Sequence, residues 1–274
     1  MIVREIEMRS DVRSALAVWC GMLAALSVVS AQNGRPFEPV VGQAGKDVVW
    51  VPTPPELVEK MLDLAKVTPQ DYVIDLGSGD GRNVIAAARR GARALGVEYN
   101  ADLVALSTRT AAAAGVADKA TFVQGDMFQA DISKASVLAL FLLPNNMFDL
   151  REKFLSLRPG TRIVANTFGV EGWEPDERAT LTGCTQWCTA LLWLVPARVE
   201  GDWQTTQGVL VLDQEYQMVT GALAGRPVAD GRLRGDEVRF AVGDAQYVGR
   251  VRDNAMEGSV TTAGKQAAWR ATRR

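Results

Sequence analysis

The chain has 274 residues, 47% of them hydrophobic and 23% charged, which is ample for one full α/β domain with a smaller companion and excludes a disordered protein. A formal net charge of −2 gives no global attraction to nucleic acid or to an anionic membrane, so a polyanionic partner would need a local patch. The count of zero histidines removes imidazole bases, Ser-His-Asp triads and His-ligated metal sites together.

Residues 1–31 read as a signal peptide or N-terminal anchor. Arg4, Arg9 and Arg13 precede an uncharged, mostly apolar run from Ala15 to Val29, and Val29-Ser30-Ala31 supplies the small residues of an export-type cleavage site before Gln32. The run is short for a membrane span. The expected location is therefore periplasmic or secreted, or tethered if the segment is retained, with no other integral membrane domain. Once the segment is removed, Cys184 and Cys188 are the cysteines that remain, either as a disulfide or as two buried thiols. On an extended strand their Cα atoms would stand about 13 Å apart, so a bridge requires a turn or a helical loop.

Residues 32–47 are polar and punctuated by glycine and proline, and read as a linker. Val48 to Pro55 is a proline-stiffened extended segment that starts a helix at Pro55, with Leu57, Val58, Met61, Leu62 and Ala65 on one face. The segment either docks that helix on a sheet or forms a lip over the turn that follows. Tyr72 to Leu76 is a buried parallel strand running into Gly77-Ser78-Gly79-Asp80-Gly81 and then an alanine-rich helix. Glycine at alternate positions lets backbone approach a ligand closely, and the first helical amides add unpaired donors.

A strand over Ala92–Val97 ending at Glu98, a helix over Asp102–Ala114, a strand over Ala120–Gln124 ending at Gly125-Asp126, and a strand over Ser136–Leu143 follow. Pro144-Asn145-Asn146 breaks the last of these, ahead of an amphipathic helix over Met147–Leu157 and a strand over Arg162–Phe168. Strands alternating with helices specify a doubly wound, mostly parallel sheet with ligands at the strands' carboxyl ends. A domain over residues 48–197 is expected, with Gln186–Val195 as a further strand. From residue 198 to 274 the helical period disappears, and short runs with frequent glycines predict a small antiparallel β domain, a meander or barrel. Trp173 and Trp187 are either core or part of a cleft. Arg232 with Arg234, and Arg250 with Arg252, share strand faces and read as a solvated edge or an anionic-partner patch.

A dinucleotide fingerprint needs a small residue where Arg82 stands, and Gly81 arrives one position early. Asp75 in the approach to the turn suits an ammonium better than a pyrophosphate. Glu98 can accept from both hydroxyls of a ribose, and Asp126 from the exocyclic amine of adenine, with Met127 and Phe128 covering the ring. An ammonium, a ribose and an adenine in a row describe S-adenosyl-L-methionine.

On Asp75-Leu76-Gly77-Ser78-Gly79-Asp80-Gly81-Arg82 with Glu98 and Asp126, residues 48–176 resemble a class I S-adenosylmethionine-dependent methyltransferase. Val51-Pro52-Thr53-Pro54 ahead of that stretch, and Leu142-Leu143-Pro144 after the fourth strand, are similar to the lysine methyltransferases that act on the adenine nucleotide translocase and the ATP-synthase c-ring, and to their bacterial relatives. The resemblance implies a seven-stranded Rossmann-like sheet, with Gly77 and Gly79 under the methionine part, Ser78 and Gly81 in the same turn, Glu98 on the ribose, and Asp126 and Met127 near adenine. Acceptor identity does not carry over from the resemblance; the three carboxylates with the Thr53 lip lead to the expectation of methyl transfer to a protein amino group rather than to a small molecule, with no nucleic-acid partner. Thr53, Asn145 and Asn146 are the candidate acceptor-side residues, the two asparagines being alternatively a helix cap. A displacement at a sulfonium needs positioning and desolvation more than a strong base, so missing histidine is no obstacle. The alternative is an exported nucleoside-binding module without catalysis, whose β domain binds an envelope partner.

Overall fold

The computed structural model describes residues 37–274; the export-type segment and residues 32–36 lie outside them. Helix α1 (Pro55–Leu64) opens on consecutive prolines, which are tolerated in a first turn because its amides have no helical partner. Leu57, Val58, Met61 and Leu62 form its buried face, and truncating one of these leucines to alanine would cost about 2–5 kcal/mol.

The order then runs β1 (Tyr72–Leu76), α2 (Arg82–Arg89), β2 (Arg93–Glu98), α3 (Ala101–Ala113), β3 (Ala120–Gln124), β4 (Val137–Leu140), α4 (Pro144–Asp149), α5 (Arg151–Leu155), β5 (Arg162–Asn166), β6 (Glu177–Thr180) and β7 (Thr189–Leu194). These strands build a seven-stranded sheet in the order β3-β2-β1-β4-β5-β7-β6. The first five are parallel, and β7 runs antiparallel to both β5 and β6. The chain winds outward from β1 through β2 and β3, then returns to start β4 on the other side. That reversal opens a crevice above the carboxyl ends of β1 and β4. One apolar cluster lies between the sheet and α1, α2 and α3, and a second under α4 and α5.

Several elements differ from the sequence reading, and the strand expected to reach Phe168 ends at Asn166, where Thr167 turns to a φ of 57°. The expected helix over Met147–Leu157 is two short helices meeting at Leu150, and the buried Met147, Leu150, Phe154 and Leu157 keep one apolar stripe across the break. The fourth strand ends at Leu140, after which Phe141 lines the crevice, Leu142 packs in the core and Leu143 is exposed. The strand expected from Gln186 starts at Thr189, and the residues before it form a turn closed by a Cys184–Cys188 disulfide.

The remaining strands are β8 (Gly201–Thr205), β9 (Gly208–Glu215), β10 (Met218–Leu223), β11 (Arg226–Pro227), β12 (Ala229–Arg234), β13 (Glu237–Val242), β14 (Ala245–Arg252), β15 (Ala255–Thr262) and β16 (Lys265–Arg273). Apart from the short β11, they pair as antiparallel neighbours from β8 to β16, and β16 pairs back to β8, closing an eight-strand barrel. Alternation is strict along β14, with Tyr247, Gly249 and Val251 inside and Gln246, Val248, Arg250 and Arg252 outside. Inside, Phe240 stacks on Tyr247 with ring centroids 4.6 Å apart, and Trp269 meets both edge-on. Gly249 is glycine for that reason, since a Cβ there would lie 2.9 Å from the Trp269 ring.

Both sheets belong to one compact unit, Phe37–Arg274. Trp173 stacks on Tyr216 at 5.5 Å, which places it in the core at the junction. Arg232 and Arg234 are not simply a solvated edge: they pair with Asp176 and Glu177, tying β12 to the segment that starts β6. Among the described residues, no helix is long and apolar enough to cross a membrane.

Candidate active site

Gly77, Gly79 and Gly81 take φ values of 72°, 55° and 81°, a region that strains any residue with a Cβ. The amides of Gly77 and Ser78 both donate to the Val97 carbonyl, which fixes the turn to β2. Gly79 must also be bare because a Cβ would lie 2.7 Å from the Trp50 indole. Gly81 faces the other way, against Phe122 and Ser107, and lets α2 pack close to the sheet.

The three carboxylates stand on successive strand ends. Asp75 is buried, and its Oδ2 accepts from Asn83 Nδ2 at 3.1 Å. Desolvation pushes its pKa well above the usual carboxylate range; Asn83 opposes the shift, and nearby Glu98 and Asp80 reinforce it. Glu98 receives the Gly79 amide at 2.9 Å and the Asn100 amide at 2.8 Å, so its carboxylate is held in place with lone pairs to spare. Asp126 accepts from the Phe128 amide at 2.9 Å and from Lys46 Nζ at 3.0 Å. The hydrogen bond from Lys46 is the largest reason that the pKa of Asp126 is lowered.

Together they line a cavity of about 520 Å³. Asp75, Gly77, Ser78, Gly79, Glu98, Asp126, Met127 and Thr53 are all on its wall. Asn145 and Asn146 are not: they lie in the first turn of α4, Asn145 exposed and Asn146 buried. The upper wall is the lip. Gly42 and Trp50 exchange hydrogen bonds across a neck, Gly42 N–H to Trp50 O at 2.8 Å and Trp50 N–H to Gln43 O at 2.9 Å. Residues 43–47, read from the sequence as linker, form the resulting loop on the cavity wall, with Lys46 reaching Asp126 and lying over the Tyr99 and Phe128 rings. Arg82, clamped by Asp80, donates to the Thr53 carbonyl at 2.5 Å and fastens the lip to α2.

Sequence reasoning missed Trp50, Lys46, Asn83, Tyr99, Phe141 and Asn166. Tyr99 and Asn83 had a signal, one directly after Glu98 and the other in the first turn after the glycines. Asn166, at the end of β5, donates to Thr53 Oγ1 at 3.3 Å and had none.

Asp75 Oδ1, Asn83 Oδ1 and Ser78 Oγ are buried without a hydrogen-bond partner. An unpaired buried acceptor costs about 1–3 kcal/mol, and an ammonium placed among them supplies the missing donors. The donor and acceptor order along the strand ends therefore suits S-adenosylmethionine.

A family profile described as the ANTKMT methyltransferase domain matches residues 75–177. A protein-lysine N-methyltransferase of Saccharolobus islandicus is 42% identical over 133 residues, 47% of this chain and 83% of that protein. The adenine nucleotide translocase lysine N-methyltransferase of Mus musculus is 34% identical over 120 residues, 43% of this chain and 52% of that protein. The chain thus spans about half the length of that mouse relative. A crystal structure described as an RNA methyltransferase from Salinibacter ruber, in complex with S-adenosyl-L-homocysteine, is 46% identical, with a TM-score of 0.52 over 54% of this chain and 96% of that one.

The fold and site are those of a class I S-adenosylmethionine-dependent methyltransferase, an enzyme. Within that class the chain belongs to the family of the ANTKMT methyltransferase domain. Nothing in these likenesses supports a module without catalysis.

Proposed function

We propose that the enzyme methylates a protein amino group, a lysine side chain. The observation that carries this reading is the 42% identity to a protein-lysine N-methyltransferase across 83% of that relative. When bound, S-adenosylmethionine supplies an electrophilic methyl group on its sulfonium. An acceptor amine that has shed its proton to solvent would take that methyl group on its lone pair, and the sulfur would leave as a neutral thioether keeping the bonding electrons. The protein's part is to position and dry the acceptor. Thr53 suits this: it is buried, lines the cavity, and receives the Asn166 amide on its oxygen, leaving its hydroxyl hydrogen and second lone pair for a ligand nitrogen. The acceptor role expected of Asn145 and Asn146 is not carried into this reading, because neither lines the cavity.

The export reading of residues 1–31 is supported by the Cys184–Cys188 bridge, which persists in an oxidising compartment. A second acceptor, RNA, is favoured by the description of the 46%-identical Salinibacter ruber structure. Radiolabelled methyl transfer into separate cytoplasmic and envelope extracts tests all of this. Label that survives nuclease and is lost to protease, and that disappears with Glu98→Ala, is the expected result. Label lost to nuclease would replace the protein by RNA.

A further inference from the structure

Phe141, Phe168 and Trp187 are large aromatic side chains that belong to none of the hydrophobic clusters, and each is only half-buried. Phe141 follows β4 and lines the cavity, Phe168 follows β5, and Trp187 rides the turn between β6 and β7. The Phe141 and Phe168 rings stack with centroids 6.0 Å apart and planes 13° apart. Trp187 meets Phe141 edge-on, again at 6.0 Å. A continuous aromatic surface therefore runs from the cavity wall to the turn.

That surface is held in place at the expense of local backbone comfort. Thr167, just before Phe168, has φ 57°, and Trp187 has φ 51°, a region in which residues with a Cβ are strained and which persists where the surroundings over-determine it. The Cys184–Cys188 bridge closes the turn around Trp187, and the Thr167 amide donates to Thr189 O at 2.7 Å, tying the two segments together. Immediately before Phe168 in the chain, Asn166 Oδ1 and Thr167 Oγ1 are buried without partners.

The charges around the rings are informative. Tyr72, Tyr99, Phe128, Phe148 and Trp203 each carry a lysine or arginine of the protein itself near the ring face. Among the described residues, no such cation lies over Phe141, Phe168 or Trp187. Aromatic rings without a resident cation attract an external one, and the rings of Phe168 and Trp187 flank Phe141 at the rim of this surface.

Resting on the amino-group reading above, we propose that Phe141, Phe168 and Trp187 form the acceptor subsite and hold the cationic head of a methylated lysine against their rings, with Trp187 the specificity-determining residue. The test titrates the full chain, saturated with S-adenosylhomocysteine, with Nε,Nε,Nε-trimethyl-lysine amide and with the neutral isostere that has carbon in place of the ammonium nitrogen. The cation should bind about threefold to tenfold more tightly than the isostere. Trp187→Ala should abolish that preference, Trp187→Phe should keep part of it, and the Cys184→Ser, Cys188→Ser double variant should weaken it, all with unchanged affinity for S-adenosylhomocysteine. Equal binding of the two probes, or a preference that survives Trp187→Ala, would overturn the proposal while leaving the cofactor site intact. Failure of S-adenosylhomocysteine to bind the unaltered chain would instead overturn the cofactor reading, and this proposal with it.

Discussion

At the scale of single residues, Asp75 and Lys46 set how the site responds to pH and to ligand. Burial keeps Asp75 protonated to a higher pH in the folded chain than in the unfolded one, which gives up this proton near pH 4. This residue's contribution to stability therefore falls as pH rises from about 4 to its folded pKa. A ligand ammonium beside it favours the charged form, so binding S-adenosylhomocysteine should release a proton and tighten as pH rises through that range. Calorimetry in two buffers of different protonation enthalpy would register the proton, and Asp75→Asn should abolish it. Lys46 bonds Asp126 Oδ2 and lies over the Tyr99 and Phe128 rings, so an adenine stacked there would meet its side chain even though the carboxylate keeps free lone pairs. Lys46→Ala should raise affinity for S-adenosylhomocysteine about two- to fivefold, a modest gain because the ion pair faces solvent. An affinity that falls would show that the lysine assists the ligand.

Among the elements, the lip depends on one fastening that can be cut. Arg82, the first residue of α2, joins Asp80 of the glycine turn to the Thr53 carbonyl, and Arg82→Ala leaves that carbonyl without its donor. The loop over residues 43–50 should then become a site of early proteolytic cleavage and S-adenosylhomocysteine should bind more weakly, while the melting temperature shifts by only a few degrees. The strand-turn-helix from Tyr72 to Arg89 was legible because everything that specifies it is local: glycine spacing, a carboxylate in the turn's approach, an alanine-rich stripe. The lip before Val48 was not, since its shape comes from a contact between residues 80 apart, Lys46 to Asp126, and nothing in its polar composition points there. The same holds for Asn166, whose partner Thr53 is 113 residues away. β6 escaped notice because Glu-Arg-Ala-Thr carries little apolar alternation, and pairing with β7 rather than propensity makes it a strand.

For the molecule as a whole, the sheet and the barrel are joined by a small set of contacts with unequal weight. Asp176 has a side chain only 1% exposed and accepts from both Arg232 and the Leu194 amide. Arg232→Ala strips one partner from that buried carboxylate and should cost about 1–2 kcal/mol, read as a lower midpoint in urea denaturation; Arg270→Ala, whose pair with Glu257 is exposed on both sides, should change it little. The closure of the barrel has a further consequence for how the chain is made. β16 bonds to β15 on one side and to β8 on the other, and it follows every other barrel strand in the chain. Until β16 has left the ribosome, the nascent barrel is an open sheet with β15 and β8 as bare edges, and pairing between neighbouring unfinished chains competes with closure. Synthesis that stalls before Lys265 should therefore yield aggregates rather than a soluble methyltransferase domain.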